Sequence, residues 1–109
     1  MRCKKFPLWL FLMVMSPVLP AQQAMTGKAL YEQSCLVCHG DDGSGVMPGV
    51  VELPGTGGPL SKSDQQLAKA IREGIQREGA VMAMPPLGGN AQLTDQDIQE
   101  IILYMRKTF

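Results

Sequence analysis

Apolar residues recur at helical spacing in three stretches of this chain, and polar caps mark where each begins. The first runs from Thr26 to about Ser34. Thr26 is a suitable N-cap, Leu30 and Tyr31 share a face, and Cys35 follows Tyr31 by four residues on the same side. Gly27 costs helix propensity. It is either a loose first turn or a point where another helix crosses, and the second reading is preferred because glycine lets backbones approach. The second stretch opens with the capping box Ser63-Asp64-Gln65-Gln66 and continues with Leu67, Ala70, Ile71 and Ile75 as an apolar stripe. Lys69, Arg72 and Glu73 are left to face water, and Gly74 is the expected stop. The third begins after Thr94, with Asp95 and Asp97 in its first turn and Arg106 and Lys107 in its last, each matching the nearer pole of the helix dipole. Ile98, Ile101, Ile102 and Met105 form its buried stripe, and Tyr104 flanks it where the first helix could cross. No stretch alternates with the period of a strand, so the expected fold class is all-α, with three main helices.

Glycine and proline organise what lies between. Residues 41–59 hold Asp41-Asp42-Gly43-Ser44-Gly45, Pro48-Gly49 and Pro54-Gly55-Thr56-Gly57-Gly58-Pro59, a density that breaks regular structure. The Asp-Asp-Gly start lacks the ligand ladder and closing Glu of a calcium loop, so it reads as solvated turns. Val46, Met47, Val50, Val51 and Leu53 are apolar and need cover. The stretch from Ala80 to Asn90 reads Ala-Val-Met-Ala-Met-Pro-Pro-Leu-Gly-Gly-Asn. A helix cannot continue through Pro85-Pro86, and a residue before proline is pushed to extended geometry. Met84 is therefore expected on a stiff extended strap.

The N-terminus differs in composition. Arg2, Lys4 and Lys5 precede an apolar run from Phe6 to Leu19, and Pro20-Ala21 supplies a small-residue exit. This is the pattern of a secretory signal, so residues 1–21 are read as a signal peptide and 22–109 as one small domain. The run is short for a bilayer span, which takes about 20 apolar residues, and an uncleaved anchor is the weaker alternative. Export implies a periplasmic protein. The whole chain has a formal charge of zero, but residues 22–109 carry seven Lys or Arg against ten Asp or Glu, a balance of −3. An acidic domain argues against a nucleic-acid partner.

The chemistry concentrates in Cys35-Leu36-Val37-Cys38-His39. C-x-x-C-H is the attachment motif for c-type haem. Two thiols add across the two vinyl groups of the porphyrin, and the two-residue gap lets one helical turn present both sulfurs to one edge. His39 then lies under the iron as an axial ligand. A structural zinc site would need four ligands, and the chain offers only Cys3 besides the motif pair and no second histidine. A thioredoxin-like motif would need a βαβ setting, which is absent from the pattern. Iron with one histidine takes a sixth ligand, and methionine is a usual one. Met84 is preferred over Met82 because the prolines stiffen its strap, which leaves Met82 to pack against the haem. Val46, Met47, Val50, Val51 and Leu53 are expected to line one haem edge, and the Pro59 carbonyl is expected to orient the His39 ring, as outer groups do for metal-bound histidines. A buried porphyrin would also complete the core of a domain this small.

Cys35-x-x-Cys38-His39-Gly40 near the N-terminus, a Met-Pro strap and a closing helix with Tyr104-Met105 resemble class I cytochrome c, the small bacterial monohaem proteins, over essentially the whole of residues 22–109. Met84-Pro85-Pro86-Leu87-Gly88-Gly89-Asn90 followed by Leu93-Thr94-Asp95 is similar to the c-five-like branch, with Asn90 in a region where that branch often carries a cysteine. The resemblance implies three main helices and Gly/Pro-rich loops around one covalent haem c. It implies His39 and Met84 as axial ligands, and first and last helices that cross near Gly27 and Tyr104. It implies a one-electron carrier that meets dehydrogenase, oxidase or reductase proteins, has no small-molecule substrate and is not an enzyme. A fixed electron-input subunit of a larger dehydrogenase or oxidase would share every motif. A haem enzyme or gas sensor with open iron is disfavoured by the Met-Pro strap.

Overall fold

The computed structural model describes residues 14–18 and 24–109. Among the described residues four α-helices follow one another: α1 (Gly27–Ser34), α2 (Leu36–His39), α3 (Asp64–Glu73) and α4 (Asp95–Thr108). Short 3-10 turns occupy Pro59–Ser61 and Pro86–Gly89. Among the described residues the only extended pairing is one antiparallel bridge between Ile75 and Met84. The all-α expectation holds, with the haem motif adding a one-turn fourth helix to the three expected from periodicity. Residues 14–18 have no helix or strand, and the rest of the segment read as a signal, with Cys3, lies outside the described residues.

The caps act as their side chains dictate. Thr26 accepts from the Ala29 amide at 3.2 Å. Ser63 with Gln66 and Thr94 with Asp97 form reciprocal capping boxes, so two otherwise orphaned amides are satisfied at each start. Gly74 ends α3 at φ 77°, a left-handed conformation that costs any residue with a Cβ.

The core forms where α4 crosses α1 and α3. Tyr31, Ile98, Ile101 and Ile102 are fully buried, and each isoleucine contributes roughly 1.5–3 kcal/mol by leaving water. The expectation for Gly27 is met: a Cβ there would run into the Glu100 carbonyl and come within 3.0 Å of the Tyr104 Cβ. Close approach of the two backbones brings three rings together. Tyr31 lies 5.4 Å from Tyr104 and 5.5 Å from Phe109, centroid to centroid, within the range of favourable tilted and edge-on aromatic pairs. Phe109 also packs on the loop after α2, because a Cβ on Gly43 would lie 2.9 Å from its ring.

Helices α3 and α4 are clasped at both ends. Arg72, near the end of α3, pairs with Asp95 at the start of α4 at 2.8 Å. Arg106, near the end of α4, pairs with Asp64 at the start of α3 at 2.7 Å. Opposite ends meet, so the helices run antiparallel. Arg72 thus does more than face water, although both pairs are partly exposed and each is worth at most about 1 kcal/mol. Ala68 is buried where the expected stripe had Ala70; Ala70 lies instead on the α3 face that lines a cavity.

Candidate functional site

The haem motif is a single helical passage bent at one residue. Cys35 ends α1, donating its amide to the Tyr31 carbonyl at 2.8 Å, and its φ of −118° turns the chain into α2. Within α2 the His39 amide reaches back to the Cys35 carbonyl at 2.9 Å. One turn therefore carries both sulfurs and the imidazole, as the spacing requires. Gly40, at φ 81°, stops the turn. Its carbonyl accepts from the buried Tyr31 hydroxyl at 2.6 Å, which ties the end of the motif to the middle of α1. Burial pushes the Tyr31 phenol well above its ordinary range, so it stays a donor. The following loop folds back over the motif: the Gly45 and Val46 amides donate to the His39 and Cys38 carbonyls, each at 2.9 Å. In that loop the Asp42 carboxylate accepts from the Ser44 amide at 2.9 Å, and the Ser44 hydroxyl, then this amide, hold its pKa down. This is a solvated turn, as expected.

Across from the motif stands the Met84 strap. Met84 and Ile75 exchange both backbone hydrogen bonds at 2.9 Å, so the strap is stitched to the chain just after α3. Gly74 makes that passage possible: a Cβ there would lie 2.6 Å from the Met84 carbonyl and 2.8 Å from the Pro86 nitrogen. Beyond the prolines, Leu87 adopts φ 57° within the turn Pro86–Gly89, a conformation uncommon for residues other than glycine. The turn is pressed on the end of α1, because a Cβ on Gly88 would lie 2.9 Å from the Ser34 carbonyl. The Asn90 side-chain amide (Nδ2) donates to the Ser34 hydroxyl at 3.0 Å. The strap thus leans on the residue just before Cys35.

Both walls face one largely apolar cavity. Cys35, Cys38 and His39 line it from one side, and Met82 and Met84 from the strap. Val50, Val51, Leu53, Leu60, Leu67, Ala70 and Ile71 complete much of the rest. Met84 is half-buried against the core, whereas Met82 is 42 % exposed. Two expectations for the lining need correction. Val46 is 63 % exposed and is not part of the lining, and Met47 instead sets its sulfur 3.5 Å from the Cys38 thiol. The Pro59 carbonyl accepts from the Lys62 amide at 3.1 Å, while the buried His39 Nδ1 has no hydrogen-bond partner. The tight turn Pro59–Ser61 directs the proline carbonyl along its own chain.

Pattern reasoning placed Arg106 at the helix dipole but missed what else it holds. Beyond its ion pair, it donates to the Leu60 carbonyl at 2.9 Å and the Lys62 carbonyl at 2.7 Å. It thereby pins the loop that supplies Pro59, Leu60 and Lys62 to the cavity. Sequence alone offers no signal for this, since the partners are backbone atoms more than forty residues away.

The donors fit a haem iron. Cys35 and Cys38 are free thiols, not a disulfide. Burial pushes the Cys35 thiol up to about 11, with the Cys38 sulfur adding to the shift, and burial lowers the His39 pKa. The imidazole is therefore kept neutral, the form that binds metal. Its orphaned buried nitrogen marks a ring placed for an interaction beyond the protein's own atoms. The thioether side chains of Met82 and Met84 line the same cavity as His39. Among the described residues no three His, Cys, Asp or Glu side chains converge as a metal site.

Comparison with known proteins agrees. Residues 22–105 match the family described as cytochrome C oxidase, cbb3-type, subunit III. The chain is 34% identical over 71 residues to cytochrome c-554(548) of Halomonas halodenitrificans, covering 65% of this chain and 80% of that protein. It is 32% identical over 85 residues to cytochrome c-555 of Chlorobaculum tepidum, covering 78% and 76%. It is 30% identical over 89 residues to the gluconate 2-dehydrogenase cytochrome c subunit of Pantoea cypripedii. That match covers 76% of this chain but spans only 20% of the longer relative. No solved structure matches the chain. Motif, cavity and likeness meet on one cofactor, haem c, and the chain belongs to the cytochrome c family as a monohaem class I cytochrome and electron carrier.

Proposed function

We propose that residues 22–109 act as an exported, periplasmic carrier of single electrons. In this reading Cys35 and Cys38 hold haem through thioethers, and His39 and Met84 are its axial ligands. Haem, when bound, supplies the one-electron couple of its iron. The protein's residues hold the group rigidly, keep water from most of it and tune the couple through axial ligand and burial. The observation that carries the reading is the pinned position of Met84. Two backbone hydrogen bonds to Ile75 and two following prolines fix the Met84 backbone beside the cavity that His39 also lines. With both axial positions filled, no site is left for a substrate, and the protein has no enzymatic step of its own. Residues 1–21 serve as the signal peptide, in keeping with a family match that starts at residue 22. No helix among the described residues is long and apolar enough to cross a membrane.

Carbon monoxide tests this reading. A tethered thioether competes at high local concentration for the sixth position, so the reduced native protein should bind the gas poorly at neutral pH. Met84→Ala should bind it readily and lose the weak long-wavelength sulfur-to-iron band of the oxidised state. Met82→Ala should keep that band. Rapid stoichiometric binding by the native protein would remove the carrier reading in favour of an open-iron enzyme or sensor. Loss of the band in Met82→Ala alone would reassign the ligand.

A second reading is favoured by the likeness to a gluconate 2-dehydrogenase cytochrome c subunit: a haem subunit fixed within a larger dehydrogenase or oxidase. The native mass on size exclusion separates them, a free carrier running as a small monomer.

A further inference from the structure

Haem carries two carboxylates on the edge away from its vinyl groups, and charged groups at an apolar cavity must reach water or find partners. The cavity lining contains no Asp or Glu and two cationic side chains, Lys62 and Arg77. They come from the elements that bracket α3, not from the helices that carry the cysteines. Lys62 follows the turn Pro59–Ser61, its amide bonded to the Pro59 carbonyl at 3.1 Å and its carbonyl held by Arg106 at 2.7 Å. Arg77 opens a tight turn closed by the Ala80 amide on its carbonyl at 3.1 Å. Lys62 also borders, with Ala70 and Ile75, a shallow depression that shares these residues with the cavity.

Charge pairing sets these two apart. Of the seven cations in residues 24–109, Lys28, Lys69, Arg72 and Arg106 each have a carboxylate within 4.0 Å. Lys62, Arg77 and Lys107 do not, and two of these three line the cavity. In a domain of net negative charge, unpaired cations on a cavity lining that holds no carboxylate call for an anion.

We propose that Lys62 and Arg77 form the carboxylate-pairing edge of the haem pocket, orienting the cofactor's two propionates and holding them as anions. This rests on haem occupying the cavity. A positive rim also disfavours the ferric state, which carries one more positive charge than the ferrous, and so holds the reduction potential up. The other charged groups near the rim are Glu52 beside Val51, Glu78 beside Arg77, and the paired Lys69 and Glu73 at the shallow depression. None of these lines the cavity, and His39 is held neutral by burial.

The test is spectroelectrochemical titration of holoprotein from about pH 5 to pH 9, across the range where a perturbed carboxylate can titrate. The variants are Lys62→Gln, Arg77→Gln, their combination, Arg77→Lys and the control Lys107→Gln. The double variant is expected to lower the equilibrium constant for reduction about tenfold, or ~59 mV for one electron. Its pH-dependent bend in potential should rise by about one pH unit, because the propionates lose the charges that favoured ionisation. Arg77→Lys should restore most of the single-variant loss, and Lys107→Gln should change neither quantity. Covalent haem and the sulfur-to-iron band should persist throughout, which separates this test from that of the axial ligands. A double-variant curve that overlays the native one overturns the proposal. So does an equal shift in Lys107→Gln, which would make the effect one of net charge.

Discussion

The two walls of the haem pocket are built from different materials. On the cysteine wall the chain is helical throughout, α1 running into α2, and its anchors lie within a few residues or in the core behind it. The Tyr31 hydroxyl holds Gly40, the motif's own turn holds His39, and α4 crosses at Gly27. On the methionine wall the chain is extended. It is held by two backbone hydrogen bonds to Ile75, by close passage at Gly74, and by the contact of Asn90 with Ser34. The first wall cannot open without disturbing the buried core; the second can move for the loss of a few bonds. Regions with few buried contacts open at low free energy while the core opens only globally. The cysteine wall therefore governs whether the domain folds around haem, and the strap governs whether the sixth iron position is filled. Mutation should separate the two.

The largest effect belongs to the cysteine wall. Replacing Cys35 and Cys38 with Ala should abolish haem retention on a denaturing gel. A domain of this size has little core to spare, and many of its inward side chains face the cavity, so the apo chain should also lose most of its helical circular dichroism. Haem staining that persists in the double variant would sink the attachment claim.

The strap comes next. Gly74→Ala places a Cβ 2.6 Å from the Met84 carbonyl at a residue with φ 77°. Positive φ with extended ψ, a region essentially open only to glycine, alone costs about 1–3 kcal/mol, and the clash has to be relieved by moving the strap. The variant should keep covalent haem, weaken the sulfur-to-iron band and bind carbon monoxide more readily than the native protein. If it loses stability with the band untouched, the strap is not positioned by that passage.

The same division marks what could be read from the chain. The cysteine wall was legible because its information is local: a five-residue motif, a capped helix and a glycine at the crossing. The strap was half legible. Pro85-Pro86 announce an extended Met84, but its partner Ile75 is chosen by how α3 ends in space. The left-handed Leu87 has no sequence signature; its neighbours Gly88 and Asn90, not Leu87 itself, meet Ser34. Arg106 looked like a charge matched to a helix end, and its bonds to the Leu60 and Lys62 carbonyls required the tertiary fold. The expected bond from His39 to Pro59 failed for a related reason. Proximity of a proline to the pocket does not decide where its carbonyl points, and the turn Pro59–Ser61 commits that oxygen to Lys62. Phe109 escaped notice at the chain's end, though it completes the aromatic cluster.

The smallest effect sharpens the comparison most, since it touches one wall through a single atom. Tyr31→Phe removes the hydroxyl that donates to the Gly40 carbonyl at 2.6 Å and leaves the ring among Tyr104 and Phe109. The buried carbonyl then loses a partner, which costs about 1–3 kcal/mol. For a domain of this length each kcal/mol lowers the melting temperature by roughly 4–8 °C. The loss should show as earlier thermal unfolding of the oxidised holoprotein, with covalent haem intact. The strap does not touch this hydroxyl, so the sulfur-to-iron band and the poor carbon monoxide binding should match the native protein before unfolding begins. The phenol stays protonated through the neutral range, because burial raises its pKa, so the difference between the two proteins should not vary between about pH 6 and 8. A weakened band at unchanged melting temperature would show that the hydroxyl acts on the methionine wall, and the separation of the two walls would fail.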